Sequence, residues 1–501
     1  MWAHFERNRG MNQHTEKLPR VFERPDKTCS RMLPQCSLKQ SCLGTVSDFL
    51  LSWSKNKYRE DLDPEDAEKN PFFLYPIHLR QDMLNSLVKV RPDGKQLLRA
   101  AELLVGSGIE SFDLGCIEDC KFPDVQMLLG ILINHGRTLR ELRVAGHWLY
   151  RKESVSLLHR LLESTPNLQR LQLQHTTKGG KELETIARQC GSLHTLEILH
   201  PSLDEQDVLS ITRKILTDGS WWAMRYSLNE LRVPSSVNGK SILMLLETFH
   251  NIEYLHCGYL EQMLDELSNF KDPIFWVQRL SHLRGVQATH PLGDDSVSRL
   301  VQWCPNLREI SLEVQEGMSL IPIAKLTHLQ FLQLRNSPTL PASYTEEVLP
   351  LLKACGERIH RLNLEQFDVV DLVKTALTCP NLRAFNAQWF TILGTGTVHG
   401  NVKPFTKLRF LRLRPQVNRR ITPDAIKILL KHCQGLRYLE LYCSHGLNDT
   451  LATWLIQQNP LQHLRTLILR HGHGLSINGV HIITNSAIKL KFRDLGRVCR
   501  C

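Results

Sequence analysis

The sequence predicts an α/β solenoid of about 14 stacked repeats, preceded by a short helical segment. Three observations lead there. Leucine supplies 84 of the 501 residues. A triplet of the form apolar-x-x-apolar-x-apolar recurs from Ile109 to Leu464 at a mean interval of about 27 residues. Between triplets, apolar residues fall at helical spacings of three and four. A chain of this length ordinarily divides into about three domains. Repeats this regular favour one continuous domain instead, because a single unit cannot bury its own apolar face and stacked neighbours can.

Residues 1–33 mix charges with Asn, Gln and Pro without periodicity and are expected to be disordered. The segment 34–100 is predicted to be helical. Ser37 is a good helix N-cap, and Leu38, Cys42, Val46, Phe49, Leu50 and Trp53 follow on one stripe. A charged linker, 54–70, separates this helix from a second over 75–90, where Pro76 suits the first turn and Leu79, Met83, Leu84 and Leu87 form the apolar face. The bland reading of the pair is a cap over the open edge of the first repeat, which solenoids require.

Repeats fill 101–488. Their triplets open at residues 109, 139, 168, 193, 228, 252, 283, 307, 329, 359, 382, 408, 436 and 464. Each predicts a short strand with alternate residues inward, and the chain returns through amphipathic helices such as 294–303, 371–378 and 422–432. The spacing is that of leucine-rich repeats, hence a curved horseshoe. Cys190, Cys304, Cys355, Cys379 and Cys433 stand three or four residues before the next strand's first apolar position, where a small apolar side chain suits the packing seam. Residues 489–501 read as a basic C-terminal tail.

Composition excludes several function classes. With 42% hydrophobic and 23% charged residues the chain reads as a folded soluble protein. No apolar run reaches the roughly 18 residues needed to cross a bilayer, and no signal-peptide pattern opens the chain. Fourteen scattered cysteines fit a reducing compartment, cytoplasm or nucleus, with free thiols. The net charge of +11 is local: residues 401–501 hold seventeen Lys and Arg against four Asp and Glu, and the rest is nearly neutral. Binding of nucleic acid by the whole molecule therefore loses support. The Gly-rich run 178–181 lacks the strand and spacing of a phosphate loop, His471 and His473 fall at a repeat turn, and Cys29, Cys36 and Cys42 are too widely spaced for a zinc ribbon. No catalytic residues, metal or cofactor are expected.

The seam cysteines resemble those of the cysteine-containing, ribonuclease-inhibitor-like class of leucine-rich repeats, frequent in substrate receptors of ubiquitin ligases. The N-terminal segment sharpens that resemblance. Ser37-Leu38-x-x-x-Cys42-x-x-x-Val46 is similar at every defined position to the BC box, the helix that binds elongin C. Twenty-nine residues on, Tyr75-Pro76-x-x-Leu79-x-x-x-Met83 resembles the cullin-2 box, with Tyr75 where Leu is usual; His78 stands where the cullin-5 version carries Pro. The resemblance implies a non-catalytic substrate receptor that joins elongin B/C and cullin-2 through Ser37, Leu38, Cys42, Val46, Tyr75, Pro76, Leu79 and Met83. An alternative takes 74–87 as the start of an F-box that binds Skp1–cullin-1, and leaves the 37–53 helix unexplained. A third reading is a repeat scaffold unrelated to ubiquitin.

The repeats themselves would hold the client protein. The residue between the second and third triplet positions faces the concave side and is polar in most repeats, as a protein-binding surface requires. Arg412 stands in that row, and Arg335, Arg414 and Arg470 directly follow the third position. These four arginines are expected to bind an acidic or phosphorylated client segment by forked, charge-assisted hydrogen bonds.

Overall fold

The computed structural model describes residues 45–46, 72, 75–90, 94–105, 108–117, 121–145, 151–174, 185–186, 188–199, 205–209, 212, 222–270, 273–394, 403–416, 419, 421–442, 446–470 and 474–495. All lie in the compact unit Pro34–Cys501. The predicted helix at 37–53, apart from Thr45 and Val46, lies outside the described residues, as do the segment 1–33, the linker 54–70, the Gly-rich run 178–181, and His471 with His473.

Among the described residues, fifteen strands from Ser111–Asp113 to Phe492–Asp494 form one sheet in chain order, every neighbouring pair parallel. Parallel neighbours need a crossover, and the amphipathic stretches between triplets supply it. Helix Asp294–Trp303 matches its predicted span, while Thr422 and Asp371 accept hydrogen bonds from the backbone N–H groups of Ala425 and Lys374 as N-caps of helices Pro423–Leu430 and Leu372–Thr378. The shortest interval, from Leu307 to Leu329, is crossed by the 3-10 turn Ile321–Lys325. The chain is an α/β leucine-rich-repeat solenoid.

The core explains why the triplet is so regular. Every apolar residue of the fourteen triplets is buried. The register sets each second position beside the next, from Phe112 opposite Leu142 to Leu439 opposite Leu467. A slip by one residue would send all of them to the other face. The seam cysteines Cys190, Cys304, Cys355, Cys379 and Cys433 are likewise buried, and burial pushes the Cys190, Cys304 and Cys379 thiols up to about 12, the state of inert packing residues.

Two features depart from the sequence reading. Within the 489–501 segment, Phe492–Asp494 joins the sheet as its last strand. Leu490 and Leu495 pack on the core at the first and third triplet positions, but Arg493 sits opposite Leu467 in the middle one, so the pattern search passes over it. A second sheet of two short parallel strands, Val369–Asp371 and Ile392–Gly394, forms beyond the strand ends, with Val370 and Leu393 turned into the core.

The second helix of the predicted cap is present, with an added element. Helix Ile77–Val90 buries Met83, Leu84 and Leu87, and a further helix, Gly94–Leu104, buries Leu97, Leu98 and Leu104. Gln81 closes the exposed strand edge. In the next repeat, the N–H groups of Arg140 and Glu141 both donate to the Glu110 carbonyl; in the first repeat, which no strand precedes among the described residues, those of Glu110 and Ser111 both donate to Gln81 Oε1 at 3.1 Å. The Gln81 amide nitrogen donates in turn to the Ser111 carbonyl at 2.8 Å. Replacing Gln81 by Ala orphans these groups and is expected to cost about 1–2 kcal/mol. Faster amide hydrogen exchange at Glu110 and Ser111 would locate the loss; unchanged exchange there would refute the edge-closing role.

Candidate interaction surfaces

The parallel register converts one sequence position per repeat into a continuous row across the sheet. The row between the second and third triplet positions runs from Asp113 through Arg143, Gln172, Glu197, Arg232, His256 and Gln287 to Ser311, Gln333, Asn363, Asn386, Arg412, Glu440, Ile468 and Asp494, each in register with the next. The predicted alignment is correct. The charge state of the row is different from the one expected.

The four arginines assigned to an acidic client already hold acids of their own chain. Arg412 is buried, and its Nε donates to Glu440 Oε2 at 2.8 Å. Arg414 Nη2 lies 3.7 Å from Glu440 Oε1 and donates to the Tyr442 hydroxyl at 3.0 Å. Arg335 Nε donates to Glu365 Oε2 at 3.2 Å, and Arg470 grips Asp494 Oδ2 with Nε and Nη2 at 3.2 and 2.7 Å. The earlier repeats show the same cross-strand neutralisation between Arg143 and Asp113, 3.2 Å, and between Arg232 and Glu197, 2.5 Å. Paired guanidinium groups of this kind build the inter-repeat contact rather than a vacant basic surface.

Aromatic rings brace the late part of the row. The Arg414 guanidinium lies 5.9 Å from the Trp389 ring centroid and 4.5 Å from that of Tyr442, which Arg470 approaches from 5.5 Å. Phe410 and Tyr438 stack at 4.4 Å. The Tyr438 hydroxyl donates to Glu440. Burial, then the Glu440 charge, raises the Tyr438 phenol, which stays protonated and keeps that donor. Trp389 adopts a left-handed backbone, φ 59°, at the bulge where the strand pairing shifts between Gln388 and Phe390.

A second column, absent from the sequence reading, runs along the margin of this face. It is the residue directly after the first triplet position: Arg383, Arg409, Arg437, Arg465 and Lys491 in the last five repeats. The backbone N–H of each of the last four donates to the carbonyl of the one before at 2.8 Å, which fixes the five side by side. All five are exposed, and among the described residues none forms an ion pair. The sequence signal is the recurrent Leu-Arg dipeptide at 382, 408, 436 and 464, followed by Leu490-Lys491; a search tuned to apolar periodicity ignores it.

At the N-terminal side, Val46 is helical, half-buried and packed on the core; Ser37, Leu38 and Cys42 lie outside the described residues. Tyr75 and Pro76 are exposed at the start of helix Ile77–Val90, and Leu79 is half-buried. Met83 is buried among the cap leucines. Its apolar character is accounted for by the cap, so it is not a surface residue for a partner, contrary to its place in the cullin-box resemblance. Of the 75–83 stripe only the first turn is open.

Among the described residues no group of three or more His, Cys, Asp or Glu is placed to hold a metal ion, and no helix is long and apolar enough to cross a membrane.

No family model and no curated protein matches the chain. Solved structures do. The yeast Rad7–Elc1 complex contains a chain that is 14% identical, with 88% of this chain and 95% of that one covered at a TM-score of 0.44. An internalin (inlF) from Listeria monocytogenes is 15% identical, with 73% and 83% covered at 0.33. The Leptospira interrogans LRR protein LIC12759 is 14% identical, with 78% and 96% covered at 0.33.

Proposed function

We propose that the chain is a non-catalytic substrate receptor of a cytoplasmic or nuclear cullin-RING ubiquitin ligase. The observation that carries this reading is the ordered pair of motifs ahead of the repeats: Ser37, Leu38, Cys42 and Val46 at BC-box spacing, then Tyr75-Pro76 at cullin-box spacing. Leu38 and Cys42 are the anchors for elongin C, apolar side chains on one helical stripe that would sit at the centre of a desolvated contact. Val46, on the same stripe, packs on the chain's own core, and in this reading ties the elongin-binding helix to the cap. Cullin-2 contact is assigned to exposed Tyr75 and Pro76 with the open side of Leu79. The repeats then present the client.

The test is co-purification of elongin B and elongin C with the full chain, native or Leu38→Ala/Cys42→Ala. The native chain should retain both proteins and cullin-2, and the variant should lose all three. Recovery of Skp1 and cullin-1 instead would support the F-box reading, and recovery of neither adaptor the plain-scaffold reading.

A further inference from the structure

The exposed column Arg383, Arg409, Arg437, Arg465 and Lys491 is a ladder of like charges with a fixed pitch. Adjacent strands lie about 4.8 Å apart, so its five members span roughly 19 Å at the backbone. At the equivalent position of earlier repeats two of the three arginines are paired: Arg140 lies 3.9 Å from Glu110 and Arg284 lies 3.3 Å from Glu253. After Arg284 no cation at this position has an acid partner, and for the five of the column, among the described residues, no carboxylate oxygen lies within 4 Å of their charged nitrogens. Holding five cations in register without counter-charges costs self-repulsion that a binding surface can recover. Two histidines on this side lie in basic surroundings, and one of them, His360, feels the column itself through Arg383. His360 is lowered by burial and then by Arg383, Arg361 and Lys407; His432 is lowered by burial and then by Lys431 and Lys403.

We propose that this column, with the half-buried rings of Phe410 and Tyr438 beside it, is the docking ladder for an extended acidic segment of a client protein. The proposal rests on the reading of the repeats as the client-binding part and names the class of client. Arginine forks suit carboxylates, and alternate residues of an extended segment face the same side. A series of Asp or Glu on one side therefore faces the column, whose long side chains span the difference between the roughly 6.7 Å spacing of alternate residues and the strand pitch. Single-stranded nucleic acid is the less fitting polyanion: Phe410 and Tyr438 stack on each other at 13° between planes, whereas base binding uses aromatic faces splayed as platforms.

The test uses the full chain and fluorescein-labelled probes, followed by anisotropy at low and moderate salt: a twelve-residue oligo-glutamate peptide, its oligo-glutamine counterpart, and oligo-deoxythymidine of similar length. The expected result is salt-sensitive binding of oligo-glutamate, weaker or no binding of the other two probes, and an affinity loss of about tenfold or more in Arg409→Glu/Arg437→Glu/Arg465→Glu. The charge-matched control Lys121→Glu/Lys325→Glu/Lys353→Glu, all exposed positions away from the column, should bind as the native chain does. Both variants change exposed side chains and should melt within a few degrees of native; a variant that fails to fold is replaced by the three single reversals, each expected to lose part of the affinity. Equal or tighter binding of oligo-deoxythymidine, equal loss in the control, or no binding of oligo-glutamate overturns the proposal. Elongin is absent from the assay, so failure here is separable from failure of the ligase reading.

Discussion

Replacing Arg412 by Met should destabilise the late repeats by about 3–5 kcal/mol, read as a shift in the urea midpoint of the full chain. Glu440 is 1% exposed and depends on Arg412 Nε at 2.8 Å and the Tyr438 hydroxyl for its compensation. The remaining cation, Arg414, stays 3.7 Å away. Removing Arg412 leaves a carboxylate taken out of water without an adequate counter-charge, which costs more than the pair itself contributes. The double variant Arg412→Met/Glu440→Leu should therefore recover most of the loss, since two apolar side chains of similar size can replace a buried ion pair at little cost. A single-variant loss under about 1 kcal/mol would mean that the pair is solvated. The consequence reaches beyond stability. Charge reversal at Arg412 and Arg414 would disrupt the sheet itself, so binding tests belong on the exposed column.

Gly239→Ala should cost about 1–3 kcal/mol despite alanine's better helix propensity. Gly239 opens helix Gly239–Thr248, and a Cβ there would sit 2.4 Å from both Gln262 C and Met263 N in helix Leu260–Ser268 of the next repeat. The obstacle is backbone, which cannot turn aside as a side-chain tip can. The two helices must separate, and the cavity so opened adds to the loss. Thermal unfolding of Gly239→Ala against Gly130→Ala gives the contrast, because a Cβ at Gly130 meets nothing within 4 Å and that substitution should be neutral or stabilising. Equal melting of the two would contradict the close helix approach.

These two sites show where sequence reading succeeds and where it stops. The strands, their order and their inward residues were legible because each is a local period repeated many times, and one misjudged position cannot displace the rest. The seam cysteines were legible for the same reason. The meaning of the arginines was not, because an ion pair between Arg412 and Glu440 depends on which side chains the register sets opposite one another across 28 residues. Once that register is known, both stand at the same position of neighbouring repeats. Gln81 is less legible still: a lone amide on a helix gives no sign that it closes a strand edge thirty residues on. The last strand was missed through Arg493, a polar residue in an apolar position. Within the segment 34–100, Met83 matched a pattern but serves the cap, since one apolar stripe satisfies either description.

In the proposed receptor, the segment carrying Leu38 and Cys42 binds elongin C. The most direct test mixes the purified full chain with purified elongin B–elongin C and measures the mass of the eluted species by light scattering. A 1:1:1 complex is expected, which Leu38→Ala/Cys42→Ala abolishes while leaving the melting temperature of the repeats unchanged. A native chain that elutes alone, or a variant that binds as well as the native chain, would contradict it.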